Sequence, residues 1–137
     1  MQFLVETDVL REYLISAKPN ESVLRKALAT GVCYTTMVNA LELFRAASTN
    51  AEHDGVMQTL MVVRVLGFNS RTAENFAIIS HEIETKTGIR ISGREAMIVG
   101  MAKTSKLTIL TKDFYERYKS FQAAPVVQSV EEVPKMD

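Results

Sequence analysis

Apolar and polar positions along the chain switch repeatedly between two periods. Phe3-Leu4-Val5 is a continuous apolar run and reads as a strand buried on both faces. Val9, Leu10, Tyr13, Leu14 and Ala17 then recur at helical spacing, opposite Arg11 and Glu12. Lys18-Pro19-Asn20 breaks this pattern, and Asn20 is positioned to cap a second helix with Val23, Leu24, Ala27 and Leu28 as its stripe and Gly31 as its end. Val32-Cys33-Tyr34-Thr35 reads as a strand, and Thr36 to Ser48 as a helix apolar almost all round. Within that helix Asn39, Glu42 and Arg45 are three apart and share a polar stripe.

The second half repeats the alternation. Thr49 to Asp54 reads as a loop or helix start, Val56 to Val63 as helix, and Val65 to Phe68 as a short strand. Ser70 is positioned to cap a helix bearing Ala73, Phe76, Ala77, Ile79 or Ile78, and Ile83, with Gly88 closing it. Ile89 to Ser92 connects to an apolar helix over Glu95 to Ala102. Leu107 to Leu110 is a strand, Phe114 to Phe121 a short helical turn, and Val126-Val127 a last strand. Strands alternating with helices predict an α/β fold of three layers, α/β/α, around a central, mostly parallel β-sheet. The reading gives one domain over residues 1–130 and a charged, mobile tail over 131–137.

Composition narrows the function classes. The 137 residues are 47% hydrophobic and 23% charged, which suits a globular domain with its own core. Sixteen basic residues balance sixteen acidic ones, against a protein that binds nucleic acid through bulk positive charge. The single Cys33 excludes an internal disulfide and a multi-cysteine zinc site, and is read as a small buried apolar residue. His53 and His81 lack ligand spacing, and no Gly-rich phosphate loop or HExxH motif occurs. No apolar run reaches the roughly 20 residues that span a bilayer, and no basic-then-apolar leader is seen, so a cytoplasmic location is expected.

The candidate chemistry lies in acids at strand ends. Glu6 and Asp8 follow the first strand, Asp113 follows the Leu107–Leu110 strand, and Glu42 and Glu95 interrupt apolar helices. In parallel α/β sheets ligands gather beyond the carboxyl ends of the strands. Clustered carboxylates there would suit Mg²⁺ or Mn²⁺, which prefer oxygen ligands. Each acid also has a structural explanation. Thr7 or Asp8 can cap the first helix, Glu42 can pair with Arg45, and Asp113 can begin a turn. Ser92-Gly93-Arg94-Glu95 fits a capping box, which accounts for Glu95 without any ligand.

Taken together, four segments resemble the PIN-domain family, and within it the small VapC-type toxin ribonucleases. Phe3 to Leu10 resembles the family's apolar run followed by D-T-N/D-V-L, and Glu42-Leu43 its helical E-L pair. Glu95-Ala96-Met97-Ile98-Val99-Gly100-Met101-Ala102 is similar to D-A-x-I-A-A-x-A, and Leu110-Thr111-Lys112-Asp113-Phe114 to L-[VI]-T-x-D. Glu stands at positions 6 and 95 where the family usually has Asp.

The resemblance implies a PIN-like fold and a metal-dependent endoribonuclease, with Mg²⁺ or Mn²⁺ as cofactor. Glu6, Glu42, Glu95 and Asp113 would be catalytic and metal-binding, and Asp8 would support them or join the pocket. Thr7 and Thr111 would orient the acids, and Arg11, Arg45, Arg94 and Lys112 are candidates for holding RNA phosphates. It also implies a homodimer and a small antitoxin partner. The alternative is a PIN scaffold, weakened by its two Glu positions, that binds RNA or a protein without cutting. A receiver-type phosphoacceptor domain fits less well, because Glu42 falls inside a helix.

Overall fold

In the computed structural model, residues 1–133 are described, and they form five strands and seven α-helices in one layered unit. The order is β1 (Gln2–Val5), α1 (Thr7–Ile15), α2 (Val23–Thr30), β2 (Val32–Thr36), α3 (Met37–Ala46), α4 (Asn50–Val62) and β3 (Arg64–Leu66). There follow α5 (Ser70–Thr87), α6 (Gly93–Ser105), β4 (Thr108–Leu110), α7 (Tyr115–Ser120) and β5 (Val126–Val127). Short 3₁₀ turns occupy Pro19–Glu21 and Val130–Glu132.

All strand pairs are parallel, in the order β3-β2-β1-β4-β5. Strands β2 and β3 step outward to one side of β1; the chain then crosses back and places β4 on the other. The switch point therefore lies between β1 and β4, where neighbouring connections leave toward opposite faces and open a crevice. Glu6 follows β1 and Thr111 follows β4 at that crevice.

Alternation along β1 separates the two halves of the core. Phe3 and Val5 join Val9, Leu10, Leu24, Leu43 and Val56 from α1–α4 on one face. Leu4 joins Phe76, Ile79, Ile83, Ile98 and Tyr118 from α5–α7 on the other. The three-layer α/β/α architecture with an all-parallel sheet is the one the alternation of strands and helices implied, and it is consistent with the PIN-like fold that the resemblance implied. Helices α5 and α6 pack closely enough that a Cβ built on Gly100 would lie 2.5 Å from Cδ1 of Phe76.

Several local expectations need correction. Helix α3 is not buried all round: Asn39 and Leu43 are buried, whereas Met37 and Leu41 are 54% and 57% exposed. Hydrophobicity along a short helix does not reveal which face meets the sheet; Asn39 and Leu43 turn inward, Glu42 is half-buried at the crevice and Arg45 is exposed at its lip. The cap of α2 is Ser22, because Pro19–Glu21 spends Asn20 on a 3₁₀ turn. The cap of α5 is Asn69, not Ser70, in a reciprocal pair with Thr72. Thr49 to Asp54 is helical from Asn50 onward, and β3 begins one residue earlier than expected and ends at Leu66. Val130–Glu132 closes a turn in which Glu132 accepts from the Gln128 N–H, and Val133 packs on the α1–α4 side. Of the expected tail, residues 134–137 lie outside the described residues.

Candidate active site

Four elements meet at the carboxyl edge of the sheet. Glu6 leaves β1 in extended conformation and caps α1, accepting the Thr7 N–H at 3.2 Å. Its side chain is 0% exposed, and five donors converge on it. Asn39 Nδ2 donates to Oε1 at 2.7 Å, and the Tyr118 hydroxyl donates to Oε2 at 2.6 Å. Arg94 supplies the remaining two, Nη2 to Oε1 and Nη1 to Oε2, each at 2.8 Å. Removing an ionised carboxylate from water costs several kcal/mol, roughly, and is sustained only when charge and donors surround it this fully.

The same guanidinium closes on a second acid. Arg94 Nε donates to Glu42 Oε2 at 2.9 Å and Nη2 to Oε1 at 2.8 Å, while the Thr7 hydroxyl donates to that Oε1 at 2.6 Å. Arg94 thus lies between two carboxylates, bidentate to each, with its Cζ 5.6 Å from the Phe114 ring centre. The hydrogen bonds from Arg94, opposed by burial and helped by Thr7, hold the Glu42 carboxyl below its ordinary value. Hydrogen bonds to Glu6 and then Glu42 keep Arg94 protonated far beyond any accessible pH. Burial, reinforced by the Glu6 charge, pushes the Tyr118 hydroxyl well above the ordinary phenol range.

Asn39 connects this cluster to the start of α3. Its Oδ1 accepts the Thr36 N–H at 3.1 Å and the Thr36 hydroxyl at 2.6 Å, leaving Nδ2 to serve Glu6 and, at 2.9 Å, Thr7 Oγ1. Asn39 and Tyr118 were not among the expected site residues. The Asn39–Glu42–Arg45 stripe held a signal for the first. Tyr118 had none, since it lies 112 residues from Glu6 in sequence.

The remaining acids are committed elsewhere. Asp8 accepts from the Thr111 hydroxyl at 2.9 Å and from the backbone N–H groups of Lys112 and Asp113 at 2.8 and 3.0 Å. It fastens the first turn of α1 to the loop after β4. Glu95 completes the capping box with Ser92 and meets Arg117 at 2.7 Å, and the Arg117 hydrogen bond holds its carboxyl below the ordinary range. The structure therefore does not bring the Glu95 carboxylate together with Glu6 and Glu42 through any shared partner. Asp113 lines the cleft beside Asp8.

The cleft has a volume near 740 Å³ and opens between α1, α3, α6 and the loop before α7. Arg11 and Arg45 line it and are exposed, whereas Lys112 turns to Glu12 at 2.7 Å. Chemically, the cleft offers two exposed cations at its lip, a carboxylate pair sharing one guanidinium at its floor and two further acids, Asp113 and Glu95, on its walls.

No protein-family model matches the chain, and no curated protein matches its sequence. Solved structures do match its fold. One is VapBC2 from Rickettsia felis bound to a DNA fragment from its promoter, with TM-score 0.74 and 14% identity over 93% of this chain and 98% of the other. DNA-bound VapBC from Salmonella typhimurium matches with TM-score 0.71 and 16% identity, covering 93% and 97%. FitAcB from Neisseria gonorrhoeae matches with TM-score 0.67 and 21% identity, covering 92% and 96%. At these identities the likeness is one of fold.

Proposed function

We propose that this protein is a VapC-like endoribonuclease, the toxin component of a toxin–antitoxin pair, hydrolysing RNA phosphodiesters in the cleft above β1 and β4. The observation that carries this reading is a fully buried carboxylate, Glu6, set at the switch point of a parallel sheet and faced by a second, Glu42. Fold stability does not call for such a pair, because apolar side chains of similar volume would be at least as stable there. The exposed Arg11 and Arg45 hold RNA phosphates at the lip. Thr7 orients Glu42, Asn39 and Tyr118 orient Glu6, and Asp8 with Thr111 shapes the wall that carries Asp113.

The resemblance implies Mg²⁺ or Mn²⁺ as cofactor. The donors are hard oxygens of the appropriate kind, yet their disposition does not suit a cation. Glu6 and Glu42 are spent on Arg94, Glu95 on Arg117 and Asp8 on the backbone. Among the described residues no three acidic, histidine or cysteine side chains are grouped to hold a metal. The site as arranged does not fit a divalent ion, and the chain's own contribution is binding and orienting the phosphodiester.

Likeness to toxin–antitoxin complexes supports a small antitoxin partner, and the family resemblance a homodimer. Among the described residues no helix is long and apolar enough to cross a membrane, and a cytoplasmic site of action is part of the proposal. A second reading, a PIN scaffold that binds RNA or protein without cleaving, is favoured by the same Arg94 bridge, which saturates both acids.

Incubating purified protein with a mixed single-stranded RNA pool, with Mn²⁺, Mg²⁺ or EDTA, separates the two readings. Cleavage that disappears in Glu42→Gln is the expected result, and its response to EDTA reports whether a metal takes part. Cleavage unchanged in that variant refutes the site, and RNA binding without cleavage establishes the scaffold.

A further inference from the structure

Arg94 occupies an unfavourable place for a cation. It is the second residue of α6, in the first helical turn, where the exposed N–H groups carry partial positive charge and acidic residues are preferred. Its neighbour Glu95 follows that preference and Arg94 does not. Helix formation gives no reason for an arginine here; the two carboxylates do. Four of its hydrogen bonds go to Glu6 and Glu42, and they use both oxygens of each. The Arg94 side chain is 27% exposed, against 0% for Glu6, so it can swing toward the cleft without unfolding α6, whereas Glu6 has nowhere else to go.

We propose that Arg94 is the internal counter-cation of the site, occupying the four carboxylate oxygens of Glu6 and Glu42 and offsetting half of their charge, so that a divalent cation can enter only by displacing the guanidinium. The inference rests on the nuclease reading for its purpose, but its test reads cation binding directly. A guanidinium and a divalent ion compete for the same four oxygens. The apparent metal affinity is therefore the intrinsic affinity reduced by the fraction of molecules in which Arg94 has left. Four charge-assisted hydrogen bonds make that fraction small, roughly a few per cent or less. The site is then silent at low metal concentration and binds metal only as Arg94 is displaced.

Calorimetric titration with Mn²⁺ alone, at fixed ionic strength, compares wild type with Arg94→Met and with Arg94→Met/Glu42→Gln. Arg94→Met is expected to bind Mn²⁺ about tenfold to a hundredfold more tightly than wild type, and the added Glu42→Gln to remove the gain. Equal affinity in wild type and Arg94→Met, or a gain that survives Glu42→Gln, overturns the proposal. If Arg94→Met fails to fold, the wild-type Arg94 Nε–H resonance serves instead. Displacement predicts that Mg²⁺ shifts or broadens it while Na⁺ of equal ionic strength does not; a resonance indifferent to Mg²⁺ overturns the proposal. Failure of the nuclease reading looks different: Arg94→Met gains Mn²⁺ affinity, yet no form of the protein cuts RNA.

Discussion

Replacing Arg94 with methionine keeps most of the side chain's volume and removes the charge on which Glu6 depends. Breaking a buried ion pair by deleting one partner costs roughly 3–5 kcal/mol, because the other charge stays behind in a poor solvent. Here Glu6 keeps Thr7 N–H, Asn39 and Tyr118 as donors, and Arg94 is about a quarter exposed, so the loss falls at or just below the lower end of that range, about 2–3 kcal/mol. In Glu6→Gln/Arg94→Met both charges are gone, and the amide oxygen introduced in place of the carboxylate can still accept from Asn39 or Tyr118. The double variant should therefore lose less than the two single variants together, giving a coupling of about 1.5–3 kcal/mol. The Glu42–Arg94 pair is hydrogen-bonded just as directly, but the Glu42 side chain is 35% exposed, so its coupling should fall below about 1 kcal/mol. Urea denaturation near neutral pH, applied to both double-mutant cycles, measures the difference. Couplings of equal size, or a Glu6–Arg94 coupling under about 0.5 kcal/mol, would refute the claim that burial makes Glu6 the dependent partner.

Acid stability should follow Glu42 and Glu95, whose carboxyls Arg94 and Arg117 hold below the ordinary 4.5. The folded chain then binds protons less readily than the unfolded one, so these contributions are intact above that value and lost as pH falls through the folded ones. Urea midpoints should be flat near neutrality and drop below about pH 4.5, with a shallower drop in Arg117→Ala; destabilisation already marked at about pH 6 would contradict this. Gly100→Ala should destabilise despite alanine's better helix propensity, because its Cβ would sit 2.5 Å from Phe76 Cδ1. The expected net loss is about 1–2 kcal/mol, and Phe76→Leu in the same chain should recover part of it; a rise in melting temperature for Gly100→Ala would disprove the close approach. Burial pushes the Cys33 thiol up to about 11, so a thiol reagent should modify it only as fast as the protein opens. Rapid modification in the absence of denaturant would contradict its buried place in β2.

What was legible in the sequence was whatever a local pattern encodes. The apolar run before Glu6, the helical spacing after it and the glycine at the end of α5 each report on neighbours within a few residues, and those elements formed there, with α1 ending at Ile15, before the Ala17 of the expected stripe. The capping box at Ser92 and Glu95 was legible for the same reason, and it accounts for Glu95 more completely than a ligand role does. Errors arose where two local explanations competed, as at Asn20 against Ser22 and Ser70 against Asn69, or where composition hid orientation, as in α3.

The site itself was decided by tertiary structure. Alternating strands and helices implied a parallel sheet, but the crossing that places β4 beside β1 is a choice of strand order that periodicity does not express. That choice brings Arg94 onto Glu6 across 88 residues and Tyr118 onto it across 112. In the sequence Arg94 is one of several basic residues near acids; in the fold it is the cation between Glu6 and Glu42. Charge type and helical phase are local properties, whereas the partner of a charge is set by which elements the sheet brings together.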